Sequence, residues 1–441
     1  MTHTNFSGFG LADPIQRALL ARNHVTPTPI QAQAIPELLK GRDMLGIAQT
    51  GTGKTAAFAL PILHQLSRNH GHSGANAPRS PRALILAPTR ELAIQIGEEF
   101  HAYGKNLHLR QTVIFGGVSQ KPQCNALARG VDIVIATPGR LLDLMNQRQL
   151  VMSAIEHLVL DEADRMLDMG FIRDVRKIIQ TMPKKRQSLL FSATMPGEIS
   201  NLSGELLSDP IRVEVTPQAT PIERIEQSIY HIEAGGKIGL LSDIMNNPAL
   251  SRVIVFTRTK HRANHVAEKL GKSGIDAEAI HGNKSQGARQ RALKRFRDGH
   301  ARVLVATDIA ARGIDVTGIT HVINFELPNE PESYVHRIGR TARAGAGGEA
   351  VSFCEPAERA YLRDIERLIQ RRLTVIGDEP TGPIPKALGN GRGNGGGKGR
   401  GQGRNKERNK APSNTNKPRN GQQPKRRQGR NRKGPSQRNA A

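Results

Sequence analysis

Asp43-Met-Leu-Gly-Ile-Ala-Gln-Thr-Gly-Thr-Gly-Lys-Thr55 is the stretch on which the fold turns. It opens with a short apolar run, passes through a Gly-rich turn and enters a helical pattern at Ala56. Such a turn aims backbone N–H groups and a helix N-terminus at phosphates. Ala48, Gln49, Thr50, Gly51, Thr52 and Gly53 would form the cradle. Lys54 would put a point charge at the β- and γ-oxygens, and Thr55 would hold Mg2+. The bland alternative is a flexible loop, but a strand before it and a helix after it favour phosphate binding. Ala48 stands where the generic pattern has its first Gly, which is tolerable if the position keeps φ negative.

Apolar β-branched runs recur along the chain. Strands are expected over 43–48, 83–87, 112–115, 133–137, 157–160 and 188–192, then over 225–232, 252–257, 275–280, 302–307, 321–325 and 350–354. Helical periodicity lies between them, as over 91–103 and 285–297. The runs are continuous rather than alternating, which is the pattern of parallel sheets covered on both faces. Two series of strands imply two α/β domains, joined near the polar, Pro-punctuated Thr216-Pro-Gln-Ala-Thr-Pro221.

Charge narrows the partner. Lys plus Arg is 64 against 39 Asp plus Glu, a net of +25. Seventeen of the basic residues and one acid, Glu407, lie from Lys386 onward, so this tail carries +16. No transmembrane helix is expected, since no 18 apolar residues run together; a polyanion is expected to bind, and nucleic acid is preferred to a membrane because no amphipathic anchor is evident. The tail is rich in Gly, Asn, Arg and Lys and has no aromatic residue, so it is expected to be disordered. Two distant cysteines, Cys124 and Cys354, exclude a disulfide framework and suit a reducing cytoplasm. No secretory leader is expected at the N-terminus.

A phosphate loop needs an acidic partner at the end of another strand. Leu158-Val-Leu-Asp161-Glu162-Ala-Asp164 supplies one. Asp161 would take Mg2+ through its water shell, and Glu162 would deprotonate an attacking water. Read alone, these acids would be a helix N-terminus favoured by its dipole; beside a phosphate loop they read as catalytic. His336-Arg-Ile-Gly-Arg340-Thr-Ala-Arg343 lies in the second half. Arg340 and Arg343 could stabilise charge on a transferring phosphoryl group across a cleft, or form a solvated basic helix.

With these residues in place the chain resembles the DEAD-box ATP-dependent RNA helicases, whose name is the run Asp161-Glu-Ala-Asp164. Pro27-Thr-Pro-Ile-Gln31 resembles the adenine-reading motif, with Phe6 in the place of its stacking aromatic. Pro88-Thr-Arg-Glu-Leu-Ala93, Gly116-Gly117 and Thr137-Pro-Gly-Arg140 resemble RNA-contact motifs, and Ser192-Ala-Thr194 the motif coupling hydrolysis to unwinding. Phe256-Thr-Arg258, Gln286 to Arg289, Ala306 to Asp315 and His336 to Arg343 resemble the remaining motifs. Wider stretches, such as 256–261 and 281–286, resemble the bacterial RhlE-type subgroup.

The resemblance implies two RecA-like domains in tandem that couple ATP hydrolysis to local unwinding and remodelling of RNA or RNA–protein complexes. It implies ATP and Mg2+ as cofactors. RNA contacts are implied for Thr89, Arg90, Gly116, Gly117, Thr137, Gly139, Arg140, Arg258 and Thr307, mostly to the sugar–phosphate backbone and hence without sequence preference. Asp315 is placed at the nucleotide ribose or the attacking water. The expected division is an N-terminal motif region over 1–32, an ATP-binding domain over 33–215, a linker over 216–223, a second domain over 224–380 and the tail over 381–441. Ribosome assembly and RNA decay, with ribosomal or RNA-decay protein partners, both suit such an enzyme, and the tail would act as an electrostatic tether to RNA. Two alternatives remain at this point: an ATPase switch acting on protein or DNA, and a passive RNA chaperone driven by its tail. Ala342 departs from the family, which usually has Gly there.

Overall fold

A computed structural model describes residues 5–48, 51–68, 80–215, 225–311, 316, 318–342 and 347–378. Parts of the sequence reading fall outside these residues: Gln49, Thr50, Asp315, Arg343, the linker over 216–223 and the tail over 381–441.

The first sheet contains β1 (Met44–Ile47), β2 (Ala83–Leu86), β3 (Gln111–Ile114), β4 (Ile133–Ala136), β5 (His157–Leu160), β6 (Gln187–Ser192) and β7 (Ile211–Glu214). The second contains β8 (Ile225–His231), β9 (Val253–Thr257), β10 (Ala277–Ile280), β11 (Val303–Thr307), β12 (His321–Asn324), β13 (Gly348–Cys354) and β14 (Thr374–Ile376). The strand orders are β3-β4-β2-β5-β6-β1-β7 and β10-β11-β9-β12-β13-β8-β14. Counted from its own first strand, each sheet has the same order, so the second half repeats the topology of the first. Every pairing is parallel, as in β1 on β6 and β8 on β13.

Side-chain alternation explains why the strands read as unbroken apolar runs. Ile85, Val159 and Leu189 join one core with Phe58, Phe100 and Phe191, while Leu84, Leu86, Leu158 and Leu190 join another on the opposite face. Helices cover both faces, and neither face can be polar.

Twelve strands coincide with the expected runs. The two unexpected ones, β7 and β14, are edge strands. Ile211-Arg-Val-Glu214 buries only Val213 fully, and its Arg212 and Glu214 pair at 2.9 Å in solvent. Thr374–Ile376 is three residues long and largely exposed. An edge strand needs no continuous apolar run, so its sequence carries little signal. The helices expected over 91–103 and 285–297 form as Arg90–Tyr103 and Gln286–Arg297. Thr89 and Ser285 start them, accepting hydrogen bonds from the N–H of Leu92 and Ala288. Among the described residues no helix is long and apolar enough to cross a membrane.

Candidate functional site

The residues singled out in the sequence gather at the carboxyl ends of the strands, where ligands of open α/β sheets bind. The phosphate loop follows β1, Asp161 and Glu162 follow β5, and Ser192 closes β6. Ala48 continues the ladder, its N–H donating to Ser192 O at 3.1 Å, and its φ is not positive. The departure from Gly at that position is therefore without strain. Gly53 is different. It has φ +94, and a Cβ there would strike the amide of Gln31 and the hydroxyl of Thr28. Gln31 uses its carboxamide locally: Nε2 donates to Gly53 O at 3.1 Å, and Oε1 accepts from Thr28 N at 2.9 Å.

A cavity of about 460 Å3 is lined by Gln31, Gly51, Gly53, Lys54, Thr55, Asp161 and Glu162. Lys54 is buried there, and its Nζ makes no hydrogen bond. Its nearest anion is Asp161 Oδ1 at 3.7 Å. A buried ammonium without acceptors is costly, and its arrangement suits an anionic ligand that supplies them. Burial pushes the Asp161 carboxyl up to about 6, opposed by the Lys54 charge and reinforced by Glu162. Glu162 occupies the left-handed region at φ +55. A non-Gly residue held there stores about 1 kcal/mol or more, which is a mark of functional sites. Phe6 is buried in the core against Phe9, ring centroids 5.9 Å apart, and does not line the cavity.

Asp164 is the residue whose work the sequence did not reveal. Its Oδ2 accepts from the N–H of Ala193 at 3.1 Å, the N–H of Thr194 at 2.9 Å and Thr194 Oγ1 at 3.0 Å. Ser192 Oγ in turn accepts from Asp164 N and donates to Thr194 O. The end of β6 is thus tied to the acidic turn that carries Asp161 and Glu162. A carboxylate accepting three bonds holds that turn firmly.

A second cavity, of about 340 Å3, collects Thr89, Arg90, Gly116, Thr137, Gly139 and Arg140 from loops after β2, β3 and β4. Gly282, Arg289 and Ile309 line it from the second half. Gly117 lies beside it at φ +79, and a Cβ there would overlap the Arg90 guanidinium. Arg258 and Thr307 lie outside this cavity, after β9 and at the end of β11. Thr89 and Thr137 are buried helix N-caps. Arg140 is anchored to Val118 O at 3.3 Å.

The two halves meet through the helices Arg90–Tyr103 and Gln286–Arg297. Glu91 Oε1 accepts from Arg289 Nε at 2.9 Å and from Gln286 Nε2 at 3.1 Å, with both charges largely buried. Arg90 donates to Gln286 Oε1 at 3.4 Å. Helix Arg90–Tyr103 consequently borders both cavities, with Arg90 and Glu91 at the second and Leu92, Gln95 and Tyr103 at the first. The sequence marked Glu91 only as part of a motif; its buried partner nearly two hundred residues away was not legible.

Arg340 is buried and lines a small gap shared with Phe256, Asp308, His336 and Arg337. Arg165 of the first half, next to Asp164, closes that gap. The structure therefore places Arg340 at the acidic turn and not inside the Lys54 cavity. Arg337 is a core residue. Its guanidinium pairs with Asp308 at 2.6 and 2.7 Å, also binds Asn324 and Glu326 O, and covers the Phe256 ring.

Ala342 sits at φ +54, which accounts for the family's glycine. An L-residue there is strained, while Gly costs some chain entropy on folding. Ala342→Gly is expected to raise stability by about 0.5–1 kcal/mol. Urea unfolding checks this, and a destabilised variant contradicts it.

Family models match both halves: DEAD/DEAH box helicase over residues 28–202 and helicase conserved C-terminal domain over residues 236–345. The DEAD-box ATP-dependent RNA helicase CshA of Bacillus subtilis (strain 168) is 42% identical over 378 residues, 85% of this chain and 74% of that protein. The ATP-dependent RNA helicase CshA of Listeria monocytogenes is 43% identical over 370 residues, 84% of this chain and 70% of that protein. Among solved structures, S. cerevisiae Dbp5 bound to RNA and ADP BeF3 has a TM-score of 0.73 at 30% identity, covering 85% of this chain and 96% of its own. A DEAD box protein from the hyperthermophile Methanococcus jannaschii has 38% identity and a TM-score of 0.51, covering 86% and 100%.

Proposed function

Because the chain belongs to the DEAD-box ATP-dependent RNA helicases, we propose that its two cavities divide the work, ATP at Lys54 and RNA at Thr89 to Arg140. It is an RNA-stimulated ATPase that unwinds and remodels RNA. The observation that carries the division is helix Arg90–Tyr103, which borders both cavities and holds the second half through Glu91.

In this reading the orphaned Lys54 ammonium meets the β- and γ-phosphates. Thr55 and Asp161 would hold Mg2+, and the ammonium without acceptors beside a carboxylate at 3.7 Å fits a metal–phosphate pair. Mg2+ supplies neutralisation of phosphate charge when bound. Glu162 takes the proton of the attacking water, and Arg340 and Arg343 stabilise the charge that develops. Asp164 passes the state of this turn to Ser192–Thr194. RNA backbone lies along Thr89, Arg90, Gly116, Gly117, Thr137, Gly139 and Arg140, with Arg258 and Thr307 continuing the track. ATP and RNA each favour the closed arrangement, so each raises the other's affinity. ATPase assayed with single-stranded RNA and with DNA of the same sequence tests the assignment. Strong stimulation by RNA alone is expected; equal stimulation by DNA would defeat it.

The RhlE-type subgroup, a cytoplasmic location and partners from ribosome assembly or RNA decay are also proposed. The subgroup is supported by the stretches over 256–261 and 281–286, the location by the two free thiols Cys124 and Cys354. The tail is proposed as a tether, supported by its +16 charge and lack of stacking aromatics. Truncation after Pro385 should lower the salt dependence of RNA affinity, each lost phosphate contact removing about 0.7 from the slope. Unchanged slopes would make the tail a solvated appendage.

A further inference from the structure

Since the two sheets share one strand order, each place in the first has a counterpart in the second. Lys54 is the first residue of the helix after β1, and Lys237 is the first residue of the helix after β8. Both are buried. Their surroundings differ. Lys54 Nζ has no hydrogen-bond partner, whereas Lys237 Nζ donates to Phe325 O at 2.9 Å and Glu358 Oε2 at 2.8 Å and lies 2.8 Å from Glu355 Oε1. An ammonium has three donors; two make hydrogen bonds here, and the Glu355 carboxylate adds a charge at ion-pair distance. In the second sheet the protein's own carboxylates satisfy the lysine that in the first is left for a phosphate.

This cluster has another end. The second oxygen of Glu358, Oε1, makes no hydrogen bond but forms a charge pair with a terminal nitrogen of Arg258 at 3.1 Å. Glu326, the residue after Phe325, accepts from Arg258 N at 2.9 Å and lies 3.7 Å from the Arg258 guanidinium. Lys237 therefore grips both chain segments whose carboxylates hold Arg258: the end of β12 through Phe325 O, and the turn at Glu358 through its side chain. The Tyr361 ring lies against the guanidinium, 6.0 Å from centroid to Cζ.

We propose that Lys237 and Glu358 are positioning residues that fix the Arg258 guanidinium for a phosphate of bound RNA. The proposal rests on the reading of Arg258 as an RNA contact. A guanidinium has five donors in a planar fork, so it can keep its carboxylates and engage a phosphate with the remainder. Ordering it before RNA arrives removes part of the entropy lost on binding. The side chain of Arg258 is 30% exposed while those of Lys237 and Glu358 are 1% and 2% exposed, so only the arginine faces solvent.

The test uses full-length protein and a single-stranded RNA of fixed length, measuring the RNA concentration for half-maximal ATPase across a salt series. Arg258→Ala should raise that concentration about tenfold and lower the salt slope by about 0.7, the loss of one phosphate contact. Glu358→Gln keeps the volume but cannot hold both cations, and should reproduce most of the shift in both quantities. Its KM for ATP and its turnover at saturating RNA should stay within about twofold. The double variant should be no worse than Arg258→Ala alone, because both changes remove one interaction. Lys237→Met, which strands two carboxylates, is a harsher check accepted only if circular dichroism shows a folded protein. If Arg258→Ala shifts the RNA dependence and Glu358→Gln does not, the positioning role is wrong while the RNA contact stands. If Arg258→Ala itself changes neither quantity, the RNA contact and the positioning role both fall. A Glu358→Gln that only lowers the melting temperature overturns the proposal in favour of a purely structural cluster.

Discussion

Glu162→Gln is expected to slow RNA-stimulated ATP turnover by about 10²–10⁴-fold, the usual contribution of a general base. The amide keeps the size and hydrogen-bonding reach of the side chain but cannot accept the water's proton. Nucleotide and RNA affinity should hold, because the Lys54 charge and the second cavity are untouched. The turn itself should survive the change, since Asp164 clasps it to Ala193 and Thr194 through three hydrogen bonds. Steady-state turnover with nucleotide titration separates base from binder. A near-normal rate would remove Glu162 from the base role, and a lost rate with lost ATP affinity would make it a binding residue.

Arg340→Ala should lower RNA-stimulated turnover by about 10³-fold or more, at the level found for arginines that stabilise a transferring phosphoryl group. Arg340 lines a gap that Arg165, beside the acidic turn, lines as well. From there it can serve the γ-phosphate only when the halves close on both ligands. Two consequences distinguish this from damage to the fold. Circular dichroism should show the variant folded, and the Arg337–Asp308 pair beside it is untouched by the change. The RNA-independent rate should fall less than the stimulated rate. Equal loss of both rates, or no loss, would place Arg340 outside the cross-domain site.

Much of this site was legible because its residues are chemically specific and end strands. A lysine after a Gly-rich turn, paired acids after β5 and glycines before close-packed arginines each have few other uses. What was hidden involves tertiary pairing. Glu91 finds Arg289 and Gln286 only after both halves have folded. Asp164 looked like the tail of an acidic run, yet it is the clasp on Ser192–Thr194. Nothing in the sequence marks Lys237, and only the repeated strand order shows that it answers Lys54. Phe6 illustrates the opposite case: the resemblance marks it for stacking, while this structure packs it into the core beside Phe9. The edge strands β7 and β14 escaped because half-exposed strands leave no apolar run to read.

ATP-driven closure over RNA is what separates the strands, and a strand-displacement assay on a short blunt RNA duplex tests this most directly. The wild-type protein is expected to release the labelled strand over many cycles with ATP and to release almost none without nucleotide. Glu162→Gln should close once and displace at most about one strand per molecule, because closure survives while the reset by hydrolysis does not. Release that proceeds equally well without ATP would contradict the account. It would make the chain a passive, charge-driven melter of RNA, with the Lys54 cavity irrelevant to its work.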